Sequence, residues 1–229
     1  MREKRRCTYC ASPAATRDHI PPKKLFARPW PSDLITVPCC NRCNVSASND
    51  DELLIWAIIC SANAVGHDAD RARQQRFAQP SSPRRKRMVA RLLAAATPVT
   101  AVRPNGVVVG RALGYQVDAR RINRVLARIV RGLYSHDYGK GVPSDTVVLT
   151  CFEPPAAIDR DRVRKDIQEH GRSLAGGAFQ YRLGPAEDEP NVTICQMQFF
   201  GGVIAQGRIE TNAKGASDVV EQGDEADER

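Results

Sequence analysis

Apolar positions follow different periods in different parts of the chain. Through residue 50 they show little helical period among Cys, Pro and charged residues, so short strands and loops are predicted there. The run Leu53-Leu54-Ile55-Trp56-Ala57-Ile58-Ile59 then predicts a helix beginning near Asp51 and ending before Gly66. Ser48, Asn49 and Asp50 offer caps for it, and Asp51 and Glu52 suit the positive end of a helix dipole. Residues 71–91 are strongly basic and interrupted by Pro80 and Pro83. From Arg84 the pattern RRKRMVARLLAAA predicts a second helix, although its basic start opposes the dipole. GVVVG, residues 106–110, predicts a short strand between turns. The most regular helix follows Asp118: Ile122, Val125, Leu126, Ile129, Val130 and Leu133 recur at three- and four-residue steps and make one apolar face. Arg120, Arg124, Arg128 and Arg131 gather on another face, where a solvated surface is the first reading and a phosphate-binding face the second.

From Thr146 the pattern turns strand-like. TVVLTCF, AFQYRL, VTICQMQFF and VIAQGRIE are β-branched or aromatic runs bounded by Gly, Pro, Asn and Asp, with one helix over residues 159–170 between the first two. The predicted class is α+β, in three parts. Residues 1–66 form a cysteine-rich module. Residues 67–217 form a helical segment and an α+β portion with a small, mainly antiparallel sheet. Residues 218–229 form an acidic tail with too little apolar content to fold.

Composition narrows the partners. The 229 residues carry 34 Lys and Arg against 26 Asp and Glu, a net charge of +8 that attracts polyanions, because each phosphate neutralised releases condensed counterions. No apolar run is long enough to span a bilayer, and the basic start MREKRRCTYC has no apolar stretch after it, so the expected location is the cytoplasm with no membrane partner. Of the eight cysteines, those closely paired in a cytosolic chain point to metal rather than to disulfides.

Two CxxC pairs carry that chemistry: Cys7-Thr8-Tyr9-Cys10 and Cys40-Asn41-Arg42-Cys43. Each CxxC turn sets two thiolates on one side of a knuckle, and two knuckles complete the tetrahedral site that structural Zn²⁺ prefers. Cys39 adjoins Cys40 and is an alternative ligand, but Cys40 preserves the two-residue spacing. Cys60, Cys151 and Cys195 lie in apolar runs and read as core thiols.

Between the knuckles runs Thr16-Arg17-Asp18-His19-Ile20-Pro21-Pro22-Lys23, and Asn44 follows Cys43 directly. The order CxxC, DHIxP, CxxCN resembles the HNH endonucleases of the ββα-metal class over residues 7–52, about a fifth of the chain. The resemblance implies a zinc knuckle joining two strands and a helix, with Asp-His on the first strand and Asn opening the helix. It implies His19 as the general base, Asp18 and Asn44 as ligands of a catalytic Mg²⁺ or Mn²⁺, and Cys7, Cys10, Cys40 and Cys43 as zinc ligands. The residue types suit those roles on their own terms: an imidazole accepts protons at neutral pH, and a hard cation prefers oxygen donors.

The family's middle Asn is missing. Residues 32–38 read SDLITVP, leaving Asp33, Thr36 or a backbone carbonyl to orient His19. Strict strand alternation would also send Asp18 and His19 to opposite faces unless the strand ends beside them, which Pro21 and Pro22 favour. Arg17, Lys23, Lys24 and Arg28 flank the pair as candidate phosphate contacts, while Phe26 and Trp30 are expected in the core. His67, His136 and His170 fall outside any motif and are expected at the surface. The expected function is therefore metal-dependent hydrolysis of nucleic acid, DNA before RNA. The C-terminal portion would position substrate, bind a protein partner or self-associate. The alternative is a zinc module that binds nucleic acid without cutting it.

Overall fold

In a computed structural model, residues 5–79, 82–102, 107–142, 146–153, 159–189 and 191–211 are described; the acidic stretch 218–229 lies outside them. Strands β1 (Thr16–Ile20) and β2 (Ile35–Cys39) form an antiparallel hairpin with Asp18 opposite Val37 and His19 opposite Thr36. Helix α1 (Asn41–Ile59) follows at once. It starts ten residues before the expected Asp51. The sulfur of Cys40 accepts from the Cys43 N–H at 3.5 Å and caps the helix, so the second cysteine pair itself forms the first turn. The polar stretch up to Ser48 stays mostly exposed and needs no apolar period; the period begins where the helix enters the core at Leu53.

Helix α2 (His67–Ala78) has no apolar pattern to announce it, because only Ala69, Ala72 and the stem of Arg76 are buried on it. Helix α3 (Pro83–Ala94) is capped by Ser82, whose hydroxyl accepts from the Arg85 N–H. Strand β3 (Thr97–Val102) pairs with β4 (Val108–Gly114) in a surface hairpin, so the strand expected at 106–110 starts at Val108, runs on to Gly114 and has a partner; Gly106 lies outside the described residues. Helix α4 (Ala119–Tyr138) begins at the Asp118 cap, as its period predicts, and ends at Gly139 in the left-handed conformation.

The remaining strands are β5 (Val147–Phe152), β6 (Arg172–Leu174), β7 (Phe179–Pro185), β8 (Val192–Phe199) and β9 (Val203–Glu210). They form one antiparallel sheet in the order β5-β9-β8-β7-β6. Helix α5 (Arg160–His170) is capped by Asp159. Alternation along β9 assigns the faces. Val203, Ala205 and Ile209 join the main core with α4, whereas Ile204 packs with Val163 and Ile167 of α5. Gly207 allows the close approach of α4, since a Cβ there would stand 2.5 Å from Val130 Cγ2.

Helix α4 is buried on more than its apolar face. Ile122, Val125, Leu126, Ile129, Val130 and Leu133 are all at most 2% exposed, each stabilising the fold by roughly 1.5–3 kcal/mol. A second row, Arg121, Arg124, Arg128 and Gly132, turns toward the N-terminal hairpin and α1. Asp50 pairs with Arg121 and Arg124, and Asp18 with Arg128. The arginine face is thus not simply solvated: the hairpin and α1 bring carboxylates to it. At Gly132 an added Cβ would stand 2.7 Å from Ile20 Cδ1, so only glycine admits the end of β1. One buried cluster joins Ile20, Val37 and α1 through α4 to Ile209, so the segments 1–66 and 67–217 share a core. Among the described residues no helix is long and apolar enough to cross a membrane.

Candidate functional site

The first CxxC turn is hooked to β2 by the Thr8 N–H, which donates to the Pro38 carbonyl at 3.0 Å, and closed by the Ala11 N–H on the Cys7 carbonyl at 2.9 Å. This brings it against the start of α1. The sulfurs of Cys7, Cys10, Cys40 and Cys43 all lie within 4.8 Å of one another, with Cys10 and Cys40 at 3.6 Å. Zn–S bonds of about 2.3 Å in a tetrahedron require sulfurs roughly 3.8 Å apart. Four thiolates this close repel one another unless a dication neutralises them, so the cluster could hold a structural metal such as zinc. Cys39 is outside it. Alternation along β2 turns Cys39 inward with Ile35 and Val37, fully buried, and its thiol donates to the Cys40 carbonyl at 3.4 Å. It is the only such cysteine, histidine or carboxylate cluster among the described residues.

The knuckle also places Tyr9, whose hydroxyl donates to Asp18 Oδ2 at 2.6 Å. Burial first, and then the adjacent Asp18 charge, holds the Tyr9 phenol far above its ordinary pKa, so it remains the donor. The same Oδ2 accepts from Arg128 Nε at 3.0 Å, and the Arg128 guanidinium lies 4.8 Å over the Tyr9 ring. Arg128 Nη2 is 2.8 Å from Oδ2 but too poorly aligned to hydrogen-bond it, and Nη1 is buried without a partner. Asp18 and Arg128 are each 13% exposed. Removing either partner of such a pair strands a buried charge, at a cost of roughly 3–5 kcal/mol. Asp18 Oδ1 accepts no hydrogen bond from a described residue.

β1 ends at Ile20, one residue beyond His19. Asp18, His19 and Asn44 line one cleft of about 220 Å³ between β1 and α1, together with Arg17, Lys23, Lys24, Ser48 and Asp51. The Asn44 amide nitrogen donates to Thr16 Oγ1 at 3.2 Å, which leaves its carbonyl oxygen as a donor atom for a ligand. Burial, followed by Lys23, lowers the His19 pKa below its ordinary 6.5, and Arg17 adds to this while Asp18 opposes it. The ring is therefore largely neutral at pH 7. No described residue hydrogen-bonds it. Asp33 accepts from the Ala175 N–H at 2.9 Å and is turned toward the loop before β7; the Thr36 hydroxyl accepts from Arg17. Neither candidate for the missing Asn orients His19.

Three residues of this site escape sequence reasoning. Tyr9 carries no signal of its own inside the knuckle, and Arg128 lies on a face whose first reading is solvated surface. Asp51 reads as a helix-start residue. Helical spacing does connect Asp51 to the site, because Asn44, Ser48, Asp51 and Ile55 recur at three- and four-residue steps and all line the cleft. Unlike Asp50 and Glu52, which pair with arginines, Asp51 has no ion pair among the described residues, and its Oδ1 is buried without a partner. Burial, which Asp18 and Asp50 reinforce, pushes its carboxyl up to about 6. A raised carboxylate pKa favours the folded state where the group is protonated, and that contribution fades as pH rises from about 4 through about 6. Without divalent ions, Asp51→Asn should therefore raise stability by about 3 kcal/mol at pH 8 and by well under ~1 kcal/mol at pH 4. Urea denaturation at the two pH values checks this; an equal effect at both would show that burial does not perturb Asp51.

The flanking cations divide. Arg17 is bound to Thr36 through its side chain and backbone oxygens. Lys23 and Arg28 lie 4.4 and 4.5 Å from the ring centre of Trp30, which is 38% exposed and not in the core as expected, whereas Phe26 is buried. Lys24 lines the cleft without a direct bond. His67, His136 and His170 carry side chains that are 81%, 39% and 63% exposed, and lie outside the cleft. Comparison with protein families, with curated proteins and with solved structures finds no match.

Proposed function

We propose that this chain is an HNH-type endonuclease that hydrolyses phosphodiester bonds in nucleic acid at the His19 cleft. The observation that carries the reading is the convergence of Asp18, His19 and Asn44 on one cleft, beside a four-cysteine cluster that holds the hairpin against α1. His19 takes a proton from water on a ring nitrogen that no described residue occupies. The resulting hydroxide forms the new bond to phosphorus, and the P–O bond to the leaving oxygen breaks, with the leaving oxygen taking a proton from solvent. Lys23, Lys24 and Arg17 hold the phosphate charge.

A hard divalent ion fits the oxygen-rich lining: Asp18 Oδ1, the Asn44 side-chain oxygen and Asp51 Oδ1 accept no hydrogen bond from any described residue. Mg²⁺ or Mn²⁺ held by Asp18 and Asn44 would polarise the phosphate and stabilise charge on the leaving oxygen. The test is incubation of the purified protein with DNA and RNA, single- and double-stranded, with and without Mg²⁺ or Mn²⁺. Metal-dependent strand scission is expected, with DNA as the first substrate on the strength of the resemblance. One observation favours the second reading, a zinc-dependent binding module: Tyr9 and Arg128 already engage Asp18 Oδ2. Binding without scission across the whole panel would make that reading the correct one.

A further inference from the structure

The His19 cleft does not end at the hairpin. Lys24, Ser48 and Glu52 also line a larger groove of about 820 Å³, which continues along α1 to α3 and to the start of α4. Its lining carries Lys24, Arg85, Arg87, Arg91 and Arg121 against only Glu52 and Asp118. Two of these cations are spent internally, Arg85 on Glu52 and Arg121 on Asp50. Lys24, Arg87 and Arg91 take part in no ion pair or side-chain hydrogen bond among the described residues, and Arg87 and Arg91 are exposed.

The sequence of α3 is odd for a helix serving only its own stability. It has no acidic residue in its first turn, and Arg85 and Lys86 sit where the helix dipole repels cations. The Arg85–Glu52 ion pair at 2.8 Å ties this end of α3 to α1 at the edge that the cleft and the groove share. Arg87 and Arg91 are four residues apart, on one side of the helix, about 6 Å of axis from one another. That is close to the spacing of successive phosphates along an extended strand. Met88 and Leu92, from the same stretch, add apolar lining.

We infer that α3 is a backbone-binding element: Lys24, Arg87 and Arg91 form a track for the phosphates of the nucleic-acid strand whose scissile bond lies at His19. This rests on the proposed role of the His19 cleft, but its consequences for binding are separate from cleavage. The partner is a nucleic-acid strand read by charge, so neither base identity nor the sugar is selected by this groove.

The experiment measures binding of fluorescent 20-nucleotide DNA and RNA by full-length protein in the His19→Ala background, without divalent ions, across a salt series. Arg87→Ala/Arg91→Ala should weaken binding at least tenfold at moderate salt. It should also flatten the dependence of log affinity on log salt by about 1 to 2, as expected for two lost phosphate contacts. Arg162→Ala on α5 removes a positive charge remote from the groove and should change neither. The exposed α3 positions tolerate alanine, and Arg87→Glu/Arg91→Glu should weaken binding further. Unchanged affinity and slope in the double variants, an equal loss in Arg162→Ala, or no binding by any form, overturns the inference. Loss of binding on altering α3 in a protein that never cuts would keep the groove and remove the nuclease reading. Cleavage that is indifferent to α3 would do the reverse.

Discussion

Replacing His19 by alanine should reduce phosphodiester cleavage by a factor of about 10²–10⁴, the range that positioned proton transfer supplies, with fold and metal content unchanged. His19 is partly exposed, near the end of a hairpin whose core contacts come from Ile20, Ile35 and Val37, so its loss leaves no cavity. Cleavage should also carry a pH signature. A base works when deprotonated, and both burial and the neighbouring Lys23 depress the His19 pKa below 6.5. The rate should therefore rise with pH on the acidic side of 6.5 and level off by about pH 7. A single-turnover pH profile reads this directly. Undiminished cutting by His19→Ala would move the chemistry to another group.

The second large effect concerns the cluster of sulfurs. Cys40→Ser should release the bound metal and unfold the hairpin. Structural zinc contributes apparent binding energies of roughly 10–16 kcal/mol to small sites of this kind, more than the total stability of most domains. Cys40 has a double role here, since its sulfur also caps α1. Cys39→Ser, one residue away, should keep about one zinc per chain and lose only some core packing, because Cys39 points inward and its sulfur lies outside the cluster. Metal analysis by mass spectrometry under native conditions, with circular dichroism alongside, separates the two variants. Retention of zinc in Cys40→Ser with loss in Cys39→Ser would reverse the ligand assignment.

Much of the architecture is legible before any coordinates. The long C-terminal strands show β-branched runs between turn residues, and α4 shows six apolar residues at helical steps above an Asp cap, because in both cases one face must be buried. The zinc-type cluster is legible because spacing alone forces two sulfurs together at each knuckle. What escapes has a common physical cause. Helix α2 buries only alanines and an arginine stem, so it has no apolar period. The first turns of α1 are set by a sulfur cap and remain exposed, so no hydrophobic pattern marks them. Trp30 is an aromatic residue left partly exposed, with two cations over its ring, and its residue type alone does not announce that. Arg128 and Tyr9 meet Asp18 only through tertiary packing, across 110 and nine residues of chain, which no local pattern records.

Arg128 and Gly132 bear on whether the hairpin could stand apart from the rest of the chain. The hairpin's carboxylate is neutralised by a guanidinium from α4, and its last strand residue fits against a bare stretch of that same helix. The cysteine-stapled unit is therefore not a cassette that could be grafted whole onto another scaffold. A recipient would have to furnish an arginine and, one helical turn on, a gap where a side chain is absent. Cut away from α4, the hairpin would keep its sulfurs but lose both the counter-charge for Asp18 and the seat for Ile20.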